Sequence, residues 1–254
     1  MEQSAQIAMK NRTGLGMSPT QSKQLLESLK GIDGQPAAAG GDGHALAEMR
    51  ATFRAEAEPL GTVPAPTSLK GMAKSGAKML AGKRPQVLID KLAERAAFER
   101  GGTRLYEGVL VKLRAESRAS SGEVPRELTE GMLCRIRDEE AGHFRLVSEC
   151  IEQLGGDPTV ETPSADLAGI ESTGLLQAVS DPRTTLAQSL HAALAAELVD
   201  HAGWELLIRL SEEIGNSSMV RRFREALRQE DEHLSRVRGW YEQLTLAEGG
   251  ASAS

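Results

Sequence analysis

The chain has 254 residues, enough for one large domain or two small ones. Its net charge of -6 gives no basic field to hold nucleic acid or an anionic membrane, and an aromatic content of 3% leaves few rings for base stacking. No apolar run approaches the ~20 residues that span a bilayer, and MEQSAQIAMKNRTG at the start lacks the apolar core of a secretory signal, so the cytoplasm is the expected compartment.

In chain order, residues 1–84 carry few structural signals. The stretch 31–43 (GIDGQPAAAGGDG) reads as loop, residues 61–66 hold two prolines, and helical patterns at about 20–30 and 44–57 offer no wide apolar face. Residues 68–84 carry five positive charges with a few apolar residues among them. A partner-docking helix is the sharper reading of that stretch, and the whole of 1–84 is expected to be a largely irregular arm with short helices. From Pro85 the pattern turns helical, with four long helices predicted at about 85–117, 125–154, 183–214 and 217–246. Pro125, and Pro182 behind Asp181, read as helix starts. Gly155-Gly156 and Gly215 read as stops. Two hairpins joined by a long middle connection, about 155–181, make a helical bundle over 85–246, and the end, 247–254, reads as a disordered tail. Cys134 and Cys150 on one helix would lie roughly 24 Å apart, too far to bridge. They form no CxxC pair and read as inert packing residues.

The two hairpins repeat each other. Phe98-Glu99 and Tyr106-Glu107 match Ala196-Glu197 and Trp204-Glu205. Glu140-Ala-Gly-His143 matches Glu230-Asp-Glu-His233, and each histidine is followed at the same distance by Glu-Gln-Leu. An old duplication accounts for this. Glu99 interrupts an apolar stripe of Leu92, Tyr106, Leu110 and Leu113, and Glu197 one of Leu190, Leu194, Trp204 and Ile208. Glu107 and Glu205 lie about 100° away and read as solvated. A glutamate three residues before a histidine shares its helix face, so each pair can grip one ion. Glu139 competes with Glu140 for that role, but its counterpart is Gln229, and only the position three before the histidine is acidic in both copies. Glu139, Asp231 and Glu232 are therefore assigned to surface charge, and Tyr106 and Trp204 to packing. A lone Glu-x-x-His is ordinarily a solvated pair. Two of them, with inward glutamates at matched positions, point to a buried site for two divalent ions, whose charge balances four carboxylates.

This pattern resembles the ferritin-like di-metal carboxylate superfamily, which includes rubrerythrins, bacterioferritins and manganese catalases. The resemblance covers about 85–246 and implies an all-α, ferritin-like four-helix bundle. It implies a metal site of Glu99, Glu140, His143, Glu197, Glu230 and His233, with Asp200 as a candidate additional ligand and His201 a weaker one. It implies two iron ions, or alternatively two manganese ions, that react with oxygen or peroxide and are served by an electron donor of unknown identity. Oxidase, peroxidase or ferroxidase chemistry is the first expectation. Catalase-like peroxide disproportionation, a substrate oxygenase, and a non-catalytic metal-binding or assembly protein working through the arm are the alternatives. A homodimer is the assembly common in the superfamily. The rubredoxin-like cysteine site of rubrerythrins is not among these residues.

Overall fold

A computed structural model of the chain describes residues 43–57, 85–119 and 124–250, together with Lys23, Glu27 and Val63. Among them all regular structure is helical. Two compact units divide between Pro59 and Leu60. The described part of the first is helix α1, Gly43–Glu56, which matches the pattern expected at 44–57. Lys23 and Glu27 are also helical, within the pattern expected at 20–30, and most of the arm expected at 1–84 lies outside the described residues.

The second unit holds α2 (Pro85–Ala119), α3 (Glu130–Leu154), α4 (Pro163–Ser180), α5 (Leu186–Glu213) and α6 (Ser217–Glu248). Its apolar residues fall into two clusters. One takes Leu92 from α2, Ile151 from α3, Leu207 from α5 and Phe223 from α6. The other takes Val109, Ile136, Leu190 and Val237 from the same four helices. Chain order then gives direction: α2 and α6 run from the first cluster to the second, and α3 and α5 run back. The most extensive pairings are α2 with α3 and α5 with α6, while α3 and α6 touch sparsely. Between the two apolar clusters, each of the four helices carries its buried acid.

Because α3 and α5 run the same way, the chain must return along the molecule between them. Helix α4 makes that return, in the stretch expected only as a connection; its 18 residues span about 27 Å at the usual rise. It packs mainly on α2. Its buried stripe consists of Ala165, Ala168, Ser172 and Val179, small residues that give little periodic hydrophobic signal. On the α2 side Gly108 makes room, since a Cβ there would meet Val179 Cγ2 at 2.7 Å. Asp90 ties the start of α4 by accepting from Ser164 Oγ at 2.6 Å and from its backbone N–H at 3.1 Å.

The predicted stops hold, with Gly155 at φ 88° and Gly215 at φ 73° in the left-handed region. Two predicted starts move. Pro125 opens a turn closed by Leu128 N–H to its carbonyl at 2.9 Å. Thr129 then caps α3 by accepting from Met132 N–H at 3.1 Å. Asp181 does not cap α5 but ends α4, where its backbone N–H donates to the Gln177 carbonyl at 3.0 Å and its carboxylate accepts from Arg183. Thr185 and Gln188 cap it instead, each side chain accepting the other's backbone N–H. Helix α6 runs to Glu248, into the segment expected as tail, and residues 251–254 lie outside the described ones. No described helix is long and apolar enough to cross a membrane.

Candidate metal centre

The heptad-like stripes of α2 and α5 turn Glu99 and Glu197 inward, to 0% and 2% exposure. The i, i+3 spacing does the same for Glu140 and His143 on α3 and for Glu230 and His233 on α6, all 3% exposed or less. Glu107 and Glu205 are exposed, as their helix angle requires. The six buried residues form two overlapping groups. Glu99, Glu140, His143 and Glu230 each offer one ligand atom, all within 4.8 Å of one another. So do Glu140, Glu197, Glu230 and His233. Glu140 and Glu230 belong to both groups.

Both imidazoles turn Nδ1 toward the carboxylates. His143 Nδ1 lies 2.7 Å from Glu230 and 3.7 Å from Glu99. His233 Nδ1 lies 3.3 Å from both Glu140 and Glu230 and 3.9 Å from Glu197. None of these approaches has hydrogen-bond alignment: both Nδ1 atoms and buried carboxylate oxygens of Glu99, Glu140, Glu197 and Glu230 have no hydrogen-bond partner. Buried polar atoms are almost always paired. A cluster of orphans that converge from four helices, all of types that bind divalent cations, fits one or two metal ions.

The metal-free electrostatics carry the same strain. Burial raises Glu99 and Glu197 well above the ordinary carboxylate range, with neighbouring acids adding to it, and raises Glu140 less far. Burial would lower both histidines, but the facing carboxylates outweigh it and push each up to about 12. Burial also works against the charged form of Glu230, and the two imidazoles overcome it and hold this acid down at about 2. Without cations, the shifts of Glu99, Glu140, Glu197 and both histidines all favour the protonated form.

Each histidine is anchored from the opposite hairpin. His143 Nε2 lies 2.9 Å from Gln229 Oε1 on α6, and His233 Nε2 lies 2.8 Å from Glu139 Oε2 on α3. Each contact orients the ring and turns Nδ1 inward. The reading of Glu139 as surface charge is corrected by this contact. Its side chain is only 18% exposed, and it also takes Arg135 at 3.0 Å. The sequence did hold a signal: the position four before each histidine is a hydrogen-bond acceptor in both copies. Asp231 and Glu232 do lie outward, toward His201 and the arginines Arg135 and Arg228.

Asp200 is buried but stands outside both groups, in an ion pair with Arg95 of α2. Arg95 is buried too. Its Nε is 4.0 Å from Glu99 Oε1, and its guanidinium lies over the Phe98 ring. A Cβ at Gly203 would fall on that guanidinium, so the glycine is what lets Arg95 in. Sequence reasoning passed over Arg95, which sits among charged neighbours in ERAAFER. His201 pairs with Asp231 at 3.0 Å. Tyr106 donates to Glu197, and the Trp204 and His143 rings meet T-shaped with centroids 5.3 Å apart. A surface depression of about 600 Å³ opens over the α3–α6 seam, lined by His143, Glu139 and Gln229 among others. The two cysteines are free.

The arrangement is a buried layer of carboxylate and imidazole that can hold metal. Comparison with protein-family models, with curated proteins and with solved structures returns no match for this chain.

Proposed function

We propose that residues 85–246 form a ferritin-like four-helix bundle that holds two iron ions and acts as an oxidoreductase on oxygen or peroxide. The observation that carries this reading is the sharing of Glu140 and Glu230 between two groups of ligand atoms, each within 4.8 Å. One ion needs only one such group. Two groups with two carboxylates in common suit a pair of ions joined by bridging carboxylates.

In this reading Glu99 with His143 would hold one ion and Glu197 with His233 the other, and Glu140 and Glu230 would be shared between them. Bound there, two iron(II) ions would supply the electrons for reducing oxygen or peroxide. The chain's own residues do the rest. Gln229 and Glu139 keep the Nδ1 lone pairs aimed inward. Tyr106 holds Glu197 and stands as the phenol nearest the reacting layer. The two apolar clusters on either side keep water from the layer along the bundle axis. Binding divalent ions displaces the protons that this layer otherwise holds.

Elemental mass spectrometry after anaerobic reconstitution tests the reading. Close to two iron per chain is expected in wild type, with loss of both in Glu140→Ala/Glu230→Ala. Oxygen and peroxide uptake on adding a reductant then tests turnover. Peroxide disproportionation without reductant, by protein loaded with manganese, would favour the catalase-like alternative. No bound ion with either metal would overturn the proposal.

A further inference from the structure

The six ligand residues repeat faithfully between the hairpins, but the residues behind them do not. Glu139, an anion, backs His233, and Gln229, a neutral amide, backs His143. A carboxylate that accepts the outer N–H of an imidazole pushes electron density toward the other nitrogen and makes it the stronger donor. A carboxamide does so much less. Outer partners of this kind change metal affinity by about 10–100-fold.

Other asymmetries do not oppose this one. The outer carboxylates are each approached by a donor, Glu99 by Arg95 and Glu197 by Tyr106. The charge of Arg95 is met by Asp200 in the same half, so neither contact decides the order. Of the two imidazoles, His143 lines the depression over the α3–α6 seam and is the nearer to bulk water.

We propose that the two metal positions are unequal: the Glu197–His233 position, backed by Glu139, fills first, and the Glu99–His143 position, backed by Gln229, fills second and gives up its ion first. This rests on the two-metal reading above. It assigns Glu139 and Gln229 as positioning residues that set the order.

Anaerobic calorimetric titration with cobalt(II) alone, followed in parallel by its visible absorption, tests it in the full chain. Wild type should bind one ion per chain before the second, with affinities at least about tenfold apart. His143→Gln should keep the first ion and lose the second, and His233→Gln should lose the first. Gln229→Glu should tighten the second phase until the two merge. Glu139→Gln should weaken the first phase by about 10–100-fold. The two acceptor exchanges conserve shape, so a fault in folding of one leaves the other as the test. Two ions bound with a single affinity in wild type would overturn this inference and leave the two-metal reading standing. So would loss of the first ion in His143→Gln. No bound cobalt would overturn both.

Discussion

Tyr106 of α2 donates its phenolic hydrogen to Glu197 of α5, from the first helical hairpin to the second. The ring is 1% exposed and the carboxylate 2%, so no water replaces the bond when it is lost. Tyr106→Phe is expected to lower the stability of the metal-free protein by about 1–2 kcal/mol and to leave the number of bound ions unchanged. Chemical denaturation beside metal analysis checks both, and loss of an ion in this variant would make Tyr106 part of the binding set.

Gly102 and Gly101 make a matched pair. A Cβ at Gly102 would run into the Glu140 carboxylate, with Cδ at 3.2 Å, whereas a Cβ at Gly101 would meet only Ser172, at 3.5 Å and beyond. Glycine to alanine within a helix is otherwise favourable by up to about 1 kcal/mol. Gly101→Ala should therefore keep metal binding and gain slightly in stability. Gly102→Ala should push Glu140 out of place and weaken binding by at least about tenfold, on the scale of a lost ligand partner. Equal affinities in the two variants would contradict the placement of Glu140.

The pH response of the metal-free protein follows from its buried acids and imidazoles. His143 and His233 are raised from 6.5 to about 12, and Glu99, Glu140 and Glu197 upward from 4.5. The folded state then holds more protons than the unfolded chain. Stability from these groups is full below their unfolded values and is lost as pH climbs toward the folded ones. Glu230 has the opposite sign: lowered to about 2, it contributes above 4.5 and loses that contribution as pH falls. The melting temperature should peak near about pH 5 and decline from there to pH 9. Divalent ions replace the protons, so their affinity rises with pH and they should remove the decline. Scanning calorimetry with and without manganese(II) measures this. A metal-free melting temperature that rises over the same range would contradict the charge assignment.

Trp204 gives an optical handle. Its ring is wholly buried and meets the His143 ring T-shaped at 5.3 Å, while the other tryptophan, Trp240, belongs to the second apolar cluster. Binding of a paramagnetic ion at His143 should quench the Trp204 emission, and Trp204→Phe should abolish the change while Trp240→Phe keeps it. Fluorescence during the cobalt(II) titration records the response.

The sequence made the long helices and the inward-facing acids legible because both rest on local spacing. A stripe of Leu92, Tyr106 and Leu110 aims Glu99 inward whatever its neighbours are, and the repeat of Glu-x-x-His made chance an unattractive account. Helix α4 was hidden because it buries small residues against a glycine-smoothed face, which leaves no large apolar period to read. Glu139 and Arg95 were hidden for another reason. Each looks like an ordinary charged helix residue, and its partner, His233 or Asp200, lies about a hundred residues away. Pairings of that range depend on the register between helices, which local spacing does not contain.

The crosswise anchoring of the histidines has an evolutionary consequence. Two identical hairpins meeting on a twofold axis would have one residue at the position four before each histidine, and any substitution there would appear on both sides at once. With both hairpins on one chain, each side can carry its own residue there. Glu139 on one side faces Gln229 on the other, and Arg95 and Asp200 stand where the other half has Ala193 and Gly102. The surroundings of the cluster thus differ between the two halves while its six inward groups match.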